Sequence, residues 1–346
     1  MQKRNLSNRA ISVTMHDVAK LAGVSQSTVS RVLSQSSLVI PISEETRQRV
    51  LEAVDQLSYY PNLTARSLRA QHSYMIAIMI GDISNSFYHS IVRTIQKVAH
   101  EQHYDVLIAY TEQLYENEKY FCEAMIRRPV DGIIMSPYHL TNEELDQLIK
   151  RTGASVVVLA NHIDHPQIDR VYADDGQGAH EATRWLIEQK HHQRLGFIGV
   201  PAGYPPGDRR LAGFKRAVDE AGLSWNPDYF QEGDFTIESG QRAIHALLDL
   251  PQPPTAVFAC NDLMAIGAIN TALDRGWRIP EDIAVVGFDN IAEATIIRPN
   301  LTTVAQFPID MGQQLAQALF ERIEGVETGP QRSFEIPLQL IERQST

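Results

Sequence analysis

Gln26, Ser27, Ser30 and Arg31 fall on one side of a short helical stretch and present an amide, two hydroxyls and a guanidinium. Groups of these types bond base edges and phosphates, and small side chains let a helix approach a major groove closely. A second set lies at the ends of apolar runs. Asp82 follows MIAIMIG, with Phe87 just beyond; Asn261 and Asp262 follow TAVFAC; Asp289 and Asn290 follow IAVVGF. Asp208, Arg209 and Arg210 open a helical stretch after RLGFIGV and a Pro/Gly loop, and Phe235 sits in EGDFTIESG before another. Carboxylates, amides, a guanidinium and flat aromatic faces suit a hydroxylated ring, whose faces stack while its edges take hydrogen bonds.

The first set needs a scaffold of short helices. Thr14 can cap one, with Asp17 three positions on, close to a capping box. Met15, Val18, Ala19 and Ala22 then recur at i, i+3, i+4 and i+7, an apolar face. Gly23 supplies the freedom of a sharp turn. Ser25 can cap a second helix whose Val29, Val32 and Leu33 point inward. Two short helices and a tight turn predict a helix-turn-helix with its reading helix second. The pattern alone also fits an ordinary helical hairpin with a solvated polar face. A third helix opens at Ser43, where Glu44 and Glu45 suit the positive end and Val50, Val54 and Leu57 form the buried stripe. Tyr59-Tyr60-Pro61 breaks it. NLTARSLRA, residues 62–70, is a short helical stretch, marginal in isolation. From its residues alone it reads as a linker helix with Leu68 as an apolar anchor.

The second set needs sheets. From Tyr74 the chain alternates apolar strand-like runs (MIAIMIG, YDVLIAY, DGIIMSP, SVVVLAN) with helical segments near 86–102, 115–128 and 141–151. A second series follows, RLGFIGV, TAVFAC and IAVVGFD, with helices near 176–190, 208–222, 236–249 and 262–275. Strand-like LTTVAQF, a helix over 308–325 and a final FEIPLQLIER complete the pattern. Two βα series predict an α/β fold with two Rossmann-like parallel sheets, each covered on both faces. Open parallel sheets bind ligands at the carboxyl ends of their strands, so two such sheets make a cleft between those ends.

Composition narrows the classes. A chain of 346 residues holds two or three cores. Its two cysteines, Cys122 and Cys260, lack metal-ligand spacing and suit a reducing cytosol. The opening MQKRNLSNRA has no apolar region of a secretory signal, and MIAIMI is strand-sized rather than membrane-sized. These features predict a cytoplasmic protein with no membrane partner. Net charge is −11, yet residues 1–72 carry nine basic and five acidic side chains, a net of +4, leaving −15 on the remainder. A basic head on an acidic body suits a nucleic-acid reader joined to a separate sensing domain.

DVAKLAGVSQSTVSRVL, SEETRQRVLEAV and YYPNLTARSLRA resemble the DNA-binding headpiece and hinge of the lactose-repressor (LacI/GalR) family of bacterial transcription regulators, and the resemblance continues through the C-terminal part. It implies a homodimeric regulator, most simply a repressor, on a pseudo-palindromic operator, with a small effector, a sugar first, in a cleft of the periplasmic-binding-protein type. It places Thr14, Ser25, Gln26, Ser27, Thr28, Ser30 and Arg31 at the DNA. In the hinge it adds Asn62, Ala65, Leu68 and Arg69, with Leu68 as a wedge in the minor groove. RRLAGF points to Arg210, ACNDLMAIGA to Asn261, VVGFDN to Asp289 and EGDF to Phe235 as effector residues; SNSFYHSI puts Phe87 and Tyr88 near the cleft, with Ser86 where the family most often has Pro. Asp82 joins this set by position. The implied organisation is a tail over 1–13, a headpiece over 14–60, a hinge over 61–72 and an effector domain over 73–346. Its subdomains are roughly 74–172 plus 302–332 and 173–301 plus 333–346, with crossings near Tyr172, Leu301 and Arg332. The first 13 residues and a loop before Ser43 about three residues longer than usual depart from the family pattern, and the end at ERQST, without a heptad tail, suits a dimer.

Several features are assigned bland roles. Asp262, opening a helix, reads as a cap. His162, Asp164 and His165, like His191 and His192, read as solvated loops, and Cys260 as a small buried thiol. No phosphate loop or dinucleotide fingerprint occurs, so no cofactor is expected. Two rival readings remain: a free sugar-binding protein of a transport system, which residues 74–346 alone fit, and a sugar enzyme, for which no acid–base or nucleophile motif exists. The ligand classes left open are a sugar, a sugar phosphate and a nucleoside-like molecule.

Overall fold

The computed structural model describes residues 13–33, 42–59 and 72–346. The chain divides into two compact units, Met1–Ser73 and Tyr74–Thr346.

In the first unit, α1 (Met15–Ala22), α2 (Gln26–Leu33) and α3 (Glu44–Gln56) form a small helical core. The Asp17 carboxylate accepts the Thr14 N–H at 2.9 Å and the Thr14 hydroxyl at 2.7 Å, which fixes the start of α1. Gly23 closes α1 at φ +65°, a conformation that favours glycine. Ser43 caps α3 by accepting the Thr46 N–H. Val18, Ala19, Ala22, Val29, Val32, Val50, Ala53 and Tyr59 make the core.

The second unit holds two six-stranded sheets. The first has the order β11-β5-β4-β3-β1-β2, built from β1 (Met75–Ile80), β2 (Asp105–Tyr110), β3 (Gly132–Met135), β4 (Ser155–Leu159), β5 (Asp169–Tyr172) and β11 (Ser333–Glu335). The second has the order β12-β10-β9-β8-β6-β7, built from β6 (Leu195–Gly199), β7 (Phe230–Glu232), β8 (Ala256–Ala259), β9 (Ala284–Asp289), β10 (Thr302–Ala305) and β12 (Gln339–Ile341). All pairs are parallel except β10 with β12. Interior strands such as MIAIMI and AVVGFD are buried nearly throughout, as expected for parallel strands covered on both faces. Edge strand β2 is not.

The helices over the first sheet are α4 (Ser86–Glu101), α5 (Tyr115–Arg127), α6 (Asn142–Thr152) and α11 (Pro308–Ile323). Over the second lie α7 (Asp175–Glu188), α8 (Pro205–Glu220), α9 (Ile237–Leu248) and α10 (Asp262–Asp274). Each sheet has its first strand between its second and third, so strand order reverses at β1/β3 and at β6/β8. Such switch points are where open α/β sheets take ligands.

The chain passes between the sheets after β5, after β10 and after β11. Two expected crossings therefore move. Residues 302–305 stay in the second sheet, parallel to β9, so the crossing near Leu301 lies beyond Ala305. Ser333–Glu335 pairs with β5, so the crossing near Arg332 follows Glu335. FEIPLQLIER is thus two strands in different sheets, and Pro337 between them, lacking an N–H, ends the first ladder. No helix among the described residues is long and apolar enough to cross a membrane.

Candidate ligand cleft and nucleic-acid interface

A cavity lies between the carboxyl ends of the two sheets. Asn85, Phe87 and Tyr88 reach it from α4, Tyr138 from the loop after β3, Asn161 after β4, and Tyr172 from the end of β5. From the second sheet come Asp175, Arg209, Arg210, Phe235 and Asp289, and Gln306 follows β10.

Arg210 is 5 % exposed and fully engaged. Its Nε and Nη2 meet Asp175 Oδ1 at 2.9 and 2.8 Å, and Nη1 donates to the Cys260 carbonyl at 2.6 Å. Nη1 also faces Asp289 at 3.6 Å, and the guanidinium lies 3.8 Å over the Phe288 ring. Burial opposes its charge, but Asp175 and Asp289 more than offset this and raise its pKa. Arg209 donates from Nε and Nη2 to the other oxygen of Asp175, at 3.2 and 2.6 Å. These contacts need α7 close to α8: a Cβ at Gly213 would lie 2.0 Å from the Gly176 carbonyl.

Asp289 ends β9 with φ +117°, and its Oδ1 accepts from Gln306 Nε2 at 2.6 Å. Burial pushes its carboxyl up to about 7, against the pull of Arg210 and Gln306 and with the repulsion of Asp175. Phe235, Asn290 and Phe307 also take positive φ near the cleft. Non-glycine residues there are strained, typically by about 1–3 kcal/mol each, and such strain concentrates at ligand sites.

Tyr138 is held from three directions. Glu118 on α5, buried and with its pKa raised by that burial, accepts the N–H groups of Tyr138, His139 and Leu140 at 2.7, 3.0 and 3.1 Å. The Tyr88 and Tyr138 hydroxyls are 2.9 Å apart. A Cβ on Gly81 would sit 3.0 Å from the Tyr138 ring. Side-chain contacts join the halves across the cleft. Ser86 Oγ donates to Glu293 Oε1 at 2.6 Å, and the Tyr204 ring meets those of Tyr138 and His139 at centroid distances of 6.0 and 5.5 Å. Phe87 packs against the cores of both sheets.

Four of the six expected effector residues, Phe87, Arg210, Phe235 and Asp289, line this cavity. Asp82 does not: its carboxylate is turned back on the local chain, accepting the Ser84 N–H and hydroxyl at 2.8 and 2.7 Å. Asn261, 1 % exposed, stands behind the wall. Its side chain caps α10 through Met264 N–H and donates to the Phe235 carbonyl at 3.0 Å, fixing the strained Phe235 backbone. Asp262 is not the cap. It lies inside, accepting Thr303 Oγ1 and the Ile291 N–H, and burial raises its pKa far above the usual carboxylate range. Helix α8 opens at Pro205 rather than Asp208, because proline is tolerated in a first turn where N–H groups have no helical partner. Tyr138, Asn161, Asp175 and Gln306 went unselected, although three of them follow apolar strand runs.

In the first unit, α2 turns Val29 and Val32 into the core and leaves Gln26 and Ser27 exposed, with Thr28, Ser30 and Arg31 half-buried. Ser25 Oγ accepts the Thr28 N–H at 3.2 Å and lies 2.7 Å from Ser27 Oγ. Arg31 Nε donates to the Ser27 carbonyl at 3.3 Å. Asn62, Ala65, Leu68 and Arg69 lie outside the described residues.

Residues 14–62 match the family described as bacterial regulatory proteins, lacI family, and residues 183–346 match the periplasmic binding protein-like domain. The chain is 35% identical over 337 residues to Catabolite control protein A of Priestia megaterium, covering 97% of this chain and 100% of that protein. Among solved structures, the Lac repressor bound to ONPG in the repressed state aligns with a TM-score of 0.84 at 28% identity, over 97% of this chain and 100% of that one. A transcriptional regulator CelR–cellobiose complex aligns with a TM-score of 0.71 at 30% identity, over 96% and 100% of the two chains. With its helix-turn-helix unit, paired parallel sheets and the cavity between them, the chain belongs to the lacI family of bacterial regulatory proteins, DNA-binding transcription regulators rather than enzymes.

Proposed function

We propose that the protein is a homodimeric, cytoplasmic repressor whose hold on a pseudo-palindromic operator is set by a small polyhydroxylated effector, a sugar in the first place. The observation that carries this is the convergence of Asp289, Gln306 and Asn161 with the flat faces of Phe87 and Phe235 in one cavity lined from both sheets. Carboxylate and amide groups bond hydroxyls and aromatic faces pack on a ring, which is how a mostly apolar pocket orients a polar ligand. The relative CelR is solved with cellobiose, which supports a sugar. Because residues of both halves line the cavity, a ligand there favours one arrangement of the halves over another.

At the DNA, Gln26, Ser27, Ser30 and Arg31 are assigned the groove face of α2, and Thr14, Ser25 and Thr28 contacts at helix starts, where N–H and hydroxyl groups suit phosphates. Asn62, Ala65, Leu68 and Arg69 are assigned the hinge contacts, with Leu68 in the minor groove. Two protomers place two α2 helices on successive half-sites. A thermal-shift screen of the full chain against neutral sugars and nucleosides tests the ligand. The reading predicts at least one hit that also changes affinity for an operator selected from random duplexes. Hits that leave operator affinity untouched would contradict it.

A further inference from the structure

The ligand classes open from the sequence differ in charge, and the cleft separates them. Two cations line it, Arg209 and Arg210, and one carboxylate occupies both. Asp175 gives Oδ2 to Arg209 and Oδ1 to Arg210, is 5 % exposed, and belongs to the first turn of α7. Arg210 is further committed to the Cys260 carbonyl and faces Asp289. His162, close to Arg209, is exposed and is not among the residues lining the cleft.

The other way to hold an anion is a helix N-terminus with free N–H groups. Here each of three such ends already has one N–H capped by a side chain. Asn85, Asp174 and Asn261 accept N–H groups at the starts of α4, α7 and α10. Helix α8, whose Pro206 lines the cavity, starts Pro205-Pro206, so its first two positions have no N–H to offer.

We infer that the cleft accepts an uncharged ligand and rejects its phosphorylated counterpart, and that Asp175 is the residue that sets this choice. The inference rests on the cleft being the effector site. A phosphate entering there meets the carboxylates of Asp175 and Asp289. To gain the Arg210 guanidinium it must break a buried pair, which is strongly unfavourable, and the part-exposed Arg209 already has its charge offset by the same carboxylate. A hydroxyl donates to the same carboxylates at no such penalty. Asp175 therefore acts on specificity while holding Arg209 and Arg210 in position.

The test uses calorimetric titration of the full chain with the neutral hits, their phosphate esters and inorganic phosphate. Each ester is expected to bind wild-type protein about 100-fold more weakly than its neutral parent, or about 2.7 kcal/mol. Asp175→Asn removes the charge that offsets both guanidiniums, so inorganic phosphate should bind it at least tenfold tighter than it binds wild type. An ester that binds wild type as well as its parent overturns the inference. If no neutral compound binds, the sugar reading fails separately, and the phosphate arm still decides: equal phosphate affinity for wild type and variant refutes the role of Asp175. Should Asp175→Asn not fold by circular dichroism, wild type alone decides, because displacement of a neutral ligand by inorganic phosphate contradicts a cleft closed to anions.

Discussion

Replacing Asp289 by alanine removes the carboxylate at the mouth of β9, and its consequences divide cleanly between ligand and DNA. The carboxylate is 4 % exposed, with Oδ1 accepting from Gln306 at 2.6 Å and facing Arg210 at 3.6 Å. No described residue hydrogen-bonds Oδ2, so that oxygen is available to ligand hydroxyls. A hydrogen bond to a charged group contributes about 1.5–3 kcal/mol net, so one or two lost bonds predict roughly 10–10,000-fold weaker effector binding. On the protein side, an unsatisfied Gln306 amide costs about 1–3 kcal/mol, while removing a carboxylate that burial disfavours offsets part of it. A domain stable by about 5–15 kcal/mol survives this. The helix-turn-helix lies in a separate unit, so operator affinity should be unchanged. Circular dichroism establishes folding, effector titration gives the affinity, and gel shift gives operator binding. A folded Asp289→Ala protein that responds to effector at wild-type concentrations would refute the placement of the pocket.

Gln26 is exposed on α2 and Arg31 shares its face, so Gln26 variants should change the preferred half-site by about 1–3 kcal/mol at one position. Arg31→Ala should instead weaken all sites; recovery of the wild-type consensus by Gln26 variants in a binding-site selection would sink the base-reading role. Leu68→Ser should lower operator affinity at least tenfold, about 1.4 kcal/mol, and leave effector affinity alone; unchanged gel shifts would favour a plain linker. Ser86→Ala deletes the 2.6 Å bond to Glu293 that ties the halves, and should weaken effector binding about 2–10-fold; an unchanged effector Kd would mean the bond has no part in closure. Burial raises the Asp289 carboxyl from 3.8 to about 7, so between those values the native state holds a proton that the unfolded chain has lost. Its contribution to stability therefore falls as pH rises through that window. The Tm of Asp289→Asn relative to wild type should rise from pH 5 to pH 8; a difference independent of pH would contradict the raised carboxyl.

Strands buried on both faces were legible because they are unbroken apolar runs, as in MIAIMI, LGFIG and AVVGF. The short β7, FQE, and β5, DRVY, carry too little periodicity to stand out, and only their sheet neighbours make them strands. The rule that ligands sit at strand ends found Asp289 and led to Phe87. It also selected Asp82, whose carboxylate is spent on a local turn with Ser84. Applied equally to LTTVA, DGIIM and SVVVL it would have reached Gln306, Tyr138 and Asn161. Asp175 gave no such signal, because its importance comes from α8 lying against α7. Asn261 and Asp262 show the limit of reading adjacent polar residues: both are buried, and which one caps depends on Thr303 and Ile291, far along the chain, which hold the Asp262 carboxylate. The hinge assignments at 61–72 came from family resemblance rather than from any pattern in the residues themselves.

The central claim is that ligand in the cleft and DNA at α2 are energetically coupled. Its most direct test measures effector affinity of the wild-type protein by titration, free and saturated with selected operator duplex. Coupling of about 1–3 kcal/mol predicts that operator shifts the effector Kd by roughly 5–150-fold, and linkage requires effector to shift the operator Kd by the same factor. An effector Kd identical with and without operator would contradict the account.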